Sequence, residues 1–132
     1  MSEHDIRARL ILEAAISPSE DPTKVDEALV NVVGVDSREG RQSSSVARLI
    51  TEDPKALARI RDQLRDRHIR AAARRQMLLN TAGHSTTLML NRQAAAASVV
   101  AICGSEDESP LGPIYLRIES EKVQDVIDWL TA

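Results

Sequence analysis

The chain has 132 residues, 42% of them apolar, and 17 lysines and arginines against 20 aspartates and glutamates give it a net charge of −3. That length fits one domain over 1–132 with enough aliphatic side chain for a real core. Phe is absent and Trp129 and Tyr115 are the only aromatics, which nearly excludes the base-stacking sheets of RNA-recognition-motif or OB-fold proteins.

Met1-Ser2-Glu3-His4-Asp5 does not read as a signal peptide, and no run of about 18 apolar residues follows. The expectation is a cytoplasmic protein with no membrane partner. Ile6, Ala8, Leu10, Leu12, Ala14 and Ile16 recur at period two, predicting a strand with one face on a core. Asp21-Pro22 opens a helix, with Asp21 as N-cap and Pro22 at the first helical position. Val25, Ala28, Leu29, Val32 and Val33 form its apolar stripe and Gly34 its stop. Residues 34–50 are turn-rich and then strand-like at Ser45–Ile50, predicting a short hairpin, although Gly40–Val46 is rich in Ser and Gln for a strand.

Asp53-Pro54 repeats the cap-and-proline start and launches a helix over Lys55–Leu64. A second helical run covers Arg67–Thr81, out of phase with the first, so a break is expected near Asp66–His68. In that run Ile69, Ala72, Ala73, Gln76, Met77, Leu79 and Asn80 fall on one arc, and Arg67, Arg70 and Arg74 on the opposite arc with Arg75 beyond them. Thr86–Leu90 reads as a strand and Asn91-Arg92-Gln93 as a polar interruption. Ala94–Cys103 fits either strand or helix: its alanines favour helix and its Val99–Ile102 end favours strand. Cys103, the single cysteine, reads as a small buried hydrophobe. Gly104–Pro113 is a loop with an acidic tip, Glu106-Asp107-Glu108. A strand over Ile114–Ile118 and a helix bearing Val123, Val126, Ile127 and Leu130, with Trp129 packed on the sheet, complete the chain. The order predicts an α+β two-layer sandwich, a mainly antiparallel sheet covered by helices.

Charge is unevenly placed along these elements. Lys55–Arg92 carries nine basic and two acidic residues, a net +7, whereas residues 1–54 and 104–132 each sum to −5. Eight of the nine are arginines, whose fork suits phosphate and whose plane can stack on bases. Concentrated charge of this kind attracts polyanions without the whole chain being basic. Asn91-Arg92-Gln93 reads either as an RNA-contacting turn or as a structural one.

Four phrases carry a family resemblance: Pro18-Ser19-Glu20-Asp21-Pro22-Thr23-Lys24-Val25, Thr86 through Ala95, Pro110-Leu111-Gly112-Pro113-Ile114, and Ile127-Asp128-Trp129-Leu130. With the arginine-rich middle, the chain resembles the archaeal uncharacterised protein family (UPF) 0201, also labelled an RNA-binding domain. The resemblance runs from Ile6 to Ala132. It implies a fold like that of the large-subunit ribosomal protein that binds 5S rRNA, a strand rather than a helix at Ala94–Cys103, and no catalytic activity.

The function expected is therefore a non-catalytic module contacting structured RNA, rRNA or tRNA, through Arg67, Arg70, Arg74, Arg75, Asn91, Arg92 and Gln93. The alternative is a protein-interaction or oligomerisation module whose basic face docks an acidic protein or a second copy in a homodimer. His4, His68, His84 and Cys103 have no metal-ligand spacing. Gly83-His84-Ser85 lacks the orienting acid and the elbow of a nucleophile, and no phosphate-binding glycine loop is present. No metal, cofactor or catalytic residue is expected.

Overall fold

Alternation in the strands builds the sheet of the computed structural model, which describes residues 6–35 and 45–132. Four strands, β1 (Arg9–Ala15), β2 (Val46–Thr51), β3 (Ser85–Leu90) and β4 (Ile114–Glu119), pair antiparallel throughout in the order β2-β1-β4-β3. One residue parity turns inward: Leu10, Leu12, Ala47, Leu49, Leu88, Leu90, Leu116 and Ile118 belong to one buried cluster. That cluster also takes the apolar stripes of α1 (Pro22–Val33), α2 (Pro54–Asp66), α3 (Arg70–Leu79) and α5 (Val123–Leu130). The result is α+β in two layers, sheet and helices. The other parity sets Arg48 beside Glu13, 3.5 Å apart, and Tyr115 and Arg117 beside them in register.

The helix starts follow from their caps. Asp21 accepts from the Thr23 amide at 3.0 Å and Asp53 from the Lys55 amide at 2.9 Å, each followed by proline. Both satisfy amide groups that the first helical turn otherwise leaves unpaired. Gly34 ends α1 at φ 71, donating to the Val30 carbonyl at 2.7 Å. The expected break between the two middle helices is real: α2 ends at Asp66, His68 takes φ 58, and α3 starts at Arg70. The expected hairpin over 34–50 is described only at its ends; its second arm is β2, and 36–44 lie outside the described residues.

Three expectations are corrected. Ala94–Cys103 is not a strand. Asn91 accepts from the Ala94 amide at 2.8 Å and caps α4 (Arg92–Ala96), because four consecutive alanines after a good N-cap favour helix. Only the end of the segment rejoins the sheet edge, through an isolated Leu90–Ile102 bridge and a 2.9 Å bond from the Cys103 amide to the Met89 carbonyl. Second, the buried face of α3 is narrower than the arc read from the sequence. Ala73 and Met77 are buried, but Ala72, Leu79 and Asn80 are exposed, since this short helix meets the core along one edge. Third, Trp129 is half-buried at the margin of the core rather than seated on the sheet, with the Arg61 guanidinium of α2 4.8 Å from its ring centre.

Candidate nucleic-acid interface

The eight arginines of the middle segment divide by what they touch. Arg59 reaches back to the C-terminus of α1, donating to the Asn31 carbonyl through Nε at 3.1 Å and Nη2 at 3.0 Å. A cation there complements the helix dipole and satisfies a carbonyl that the helix leaves open. Arg61 stacks over Trp129 and donates from Nε to its carbonyl at 3.0 Å. Arg65 pairs locally with Asp62 at 3.3 Å and Asp66 at 3.2 Å. Arg59 and Arg61 tie the helix layer together, whereas the exposed Arg65 pairs only within α2.

The corner between α2 and α3 holds the arginines read as a site. Arg70 Nη1 donates to the Ala132 main-chain oxygen at 3.0 Å. One turn on, Arg74 Nη1 donates to Asp128 Oδ1 at 2.8 Å and to Thr131 Oγ1 at 3.2 Å. Arg70 and Arg74 therefore lie along the end of α5, and Arg74 spends its charge on a carboxylate. Arg67, at the C-cap of α2, and Arg75 are exposed and make no ion pair or side-chain hydrogen bond among the described residues. Among the arginines of this segment, Arg67, Arg70 and Arg75 are thus the exposed ones with no carboxylate side chain paired to them. Arg75 shares the outer face of α3 with Leu78 and Leu79, 43% and 78% exposed.

The triplet after β3 lies apart from this corner and is built inward. The Asn91 carboxamide oxygen is the cap of α4. Arg92 is only 6% exposed; Nη1 donates to the Ala15 carbonyl at 2.7 Å and to both Glu20 carboxylate oxygens at 2.9 Å, and Nε donates to the Gly112 carbonyl at 3.2 Å. Arg92 joins β1, the entry to α1 and the loop before β4, so Asn91 and Arg92 take the structural role of the two readings. Gln93 is exposed. Nothing in residue spacing announces a partner 72 positions away.

Cys103 is buried, and burial, followed by the charge of Glu108, pushes its thiol above the ordinary range. A thiol so held is a poor nucleophile at neutral pH. Among the described residues no three of His, Cys, Asp and Glu converge as metal ligands, and no helix is long and apolar enough to cross a membrane.

No protein-family model matches the chain. A UPF0201 protein of Sulfurisphaera tokodaii is 37% identical over 125 residues, covering 93% of this chain and 86% of the relative. One of Sulfolobus acidocaldarius is 36% identical over the same length and coverage. Among solved structures, a UPF0201 protein from Methanococcus jannaschii superposes with a TM-score of 0.75 at 23% identity, covering 94% of this chain and 99% of its own. A DUF54 protein from Methanothermobacter thermautotrophicus gives a TM-score of 0.62 at 20% identity, covering 94% and 95%. These two structures carry the fold.

Proposed function

The chain belongs to the archaeal UPF0201 family, and we propose that it is a non-catalytic RNA-binding module that holds the phosphates of structured RNA at the α2–α3 corner. The observation that carries this reading is the pair of exposed, unpartnered guanidinium groups on Arg67 and Arg75, with Arg70 between them engaged only by a main-chain oxygen. Exposed arginines without carboxylate partners keep both charge and forked donors for phosphate. Arg74 is paired with Asp128 on α5, and Asn91, Arg92 and Gln93 are left out of the contact. Likeness to the 5S-rRNA-binding ribosomal protein fold belongs to the same reading.

Arg67→Gln with Arg75→Gln tests it. The double variant is expected to fold with unchanged stability, within about 0.5 kcal/mol per site, and to bind a folded rRNA or tRNA fragment several-fold more weakly at fixed salt. Arg92→Gln is no part of this test, because its loss acts on folding. Unchanged RNA affinity in the double variant contradicts the placement.

A second reading rests on Leu79, which is 78% exposed beside Leu78 and Arg75. Large apolar side chains adjacent on a helix surface mark a protein contact, which is the interaction-module alternative, its acidic partner facing Arg75. Leu79→Glu separates the two: loss of a larger assembly in light scattering with RNA affinity intact favours the protein contact.

A further inference from the structure

The end of α5 lies against α3 and takes up donors that the α2–α3 corner would otherwise present. Arg74 Nη1 donates to Asp128 Oδ1 at 2.8 Å and to Thr131 Oγ1 at 3.2 Å, and Arg70 Nη1 donates to the Ala132 main-chain oxygen at 3.0 Å. Thr131 gives its own proton to the Ile127 carbonyl at 2.8 Å, which leaves its oxygen set as an acceptor. Of these contacts, the one made by Asp128 cancels a charge.

That ion pair is open to solvent, the Arg74 side chain 41% exposed and that of Asp128 55%. Exposed pairs contribute little to stability, and the core does not depend on this one. Val123, Val126, Ile127 and Leu130 bury α5, and Ala73 and Met77 bury α3. What the pair does control is the anion-binding capacity of the corner. Arg74 stands four residues beyond Arg70 on α3, a rise of about 6 Å, within reach of the same stretch of phosphate backbone. A carboxylate on its guanidinium removes the net charge, occupies a forked donor and repels phosphate.

We propose that Asp128 is an autoinhibitory contact, an internal competitor that withholds Arg74 from RNA phosphate. The inference rests on the reading of the corner as an RNA site. With Asp128 in place, Arg67, Arg70 and Arg75 meet phosphate; with its charge removed, Arg74 joins them.

Titration of the full chain with a folded tRNA at several salt concentrations tests this. Asp128→Asn is expected to bind several-fold more tightly than the parent, with a log–log salt slope steeper by about one unit. Adding Arg74→Gln to that variant should return the parental slope, and Arg74→Gln alone should leave the slope unchanged. Asp125→Asn is the control for net charge, since Asp125 lies one turn earlier on α5 and makes no ion pair among the described residues; its slope should stay parental. An equal gain from Asp125→Asn, or a gain from Asp128→Asn that survives Arg74→Gln, overturns the proposal. If Asp128→Asn melts below the parent, Arg74→Gln alone decides. A shallower slope there would place Arg74 on phosphate already and overturn the brake, whereas an unchanged slope supports it. RNA affinity that ignores Arg67→Gln with Arg75→Gln removes the RNA reading and this contact with it. Sensitivity to those two substitutions with indifference to Asp128→Asn overturns the autoinhibition alone.

Discussion

Arg92 shows how one side chain can read as a ligand contact in the sequence and act as a fold determinant in the structure. Its charge and its place between Asn91 and Gln93 fit RNA recognition, yet it is enclosed and shared among Ala15, Glu20 and Gly112. Removing one member of a buried pair strands the other, so Arg92→Gln is expected to lower the unfolding free energy by about 3–5 kcal/mol. Urea unfolding at neutral pH measures it, and a loss below about 1 kcal/mol would mean the pair is dispensable. Lysine is no substitute, because a single ammonium cannot reproduce the divergent contacts of the fork.

Gly34 makes a second residue-scale case. Its φ of 71 is left-handed, and an added Cβ would come within 2.6 Å of Arg59 Cδ. Gly34→Ala is expected to destabilise by at least the ~1 kcal/mol cost of a left-handed non-glycine residue, with more from displacing Arg59 off the end of α1. A change in melting temperature reports it; an unshifted melt would show that Arg59 yields freely. Glycine as a helix stop was legible from the sequence, but the guanidinium lying across it was not. Helix punctuation is a local signal, whereas the contact joins residues 25 positions apart.

Among the elements, those set by caps and period were legible and those set by tertiary pairing were not. Both Asp-Pro starts, the glycine stop, the break at His68 and the parity of every described strand follow from local chemistry. The α4 segment was misplaced by family resemblance although its four alanines and Asn91 cap state helix. The outer edge of β3 is a further feature that no pattern predicts. Gln76 of α3 donates from Nε2 to the Cys103 carbonyl at 2.8 Å and accepts from the Met89 amide, and Asn80 Nδ2 donates to the Thr87 carbonyl at 3.0 Å. Side chains thus occupy main-chain groups that an unpaired edge would offer to another strand. Gln76→Ala should cost about 1–3 kcal/mol, the penalty for buried groups left unpaired, and should speed hydrogen exchange at the Met89 amide. Unchanged protection at Met89 would show that the edge is closed by other means.

Taken whole, the molecule keeps its net charge negative while leaving a basic corner at the α2–α3 turn. The sequence located that excess in the right segment but overcounted the usable cations. Helical phase cannot show that Arg59 and Arg61 serve as internal ties, that Arg74 reaches Asp128 on α5, or that Arg92 is enclosed. The corner that remains rests on Arg67, Arg70 and Arg75. RNA binding proposed there would be mostly electrostatic, with little base stacking, since Tyr115 lies on β4 and the half-buried ring of Trp129 is covered by Arg61. The direct measurement is the salt dependence of affinity for a folded RNA, taken for the parent and for Arg67→Gln with Arg75→Gln. About three neutralised phosphates predict a log–log slope of about −2 to −3 for the parent, reduced by about two units in the variant. A slope near zero in the parent, or an identical slope and affinity in the variant, would contradict RNA binding at this corner.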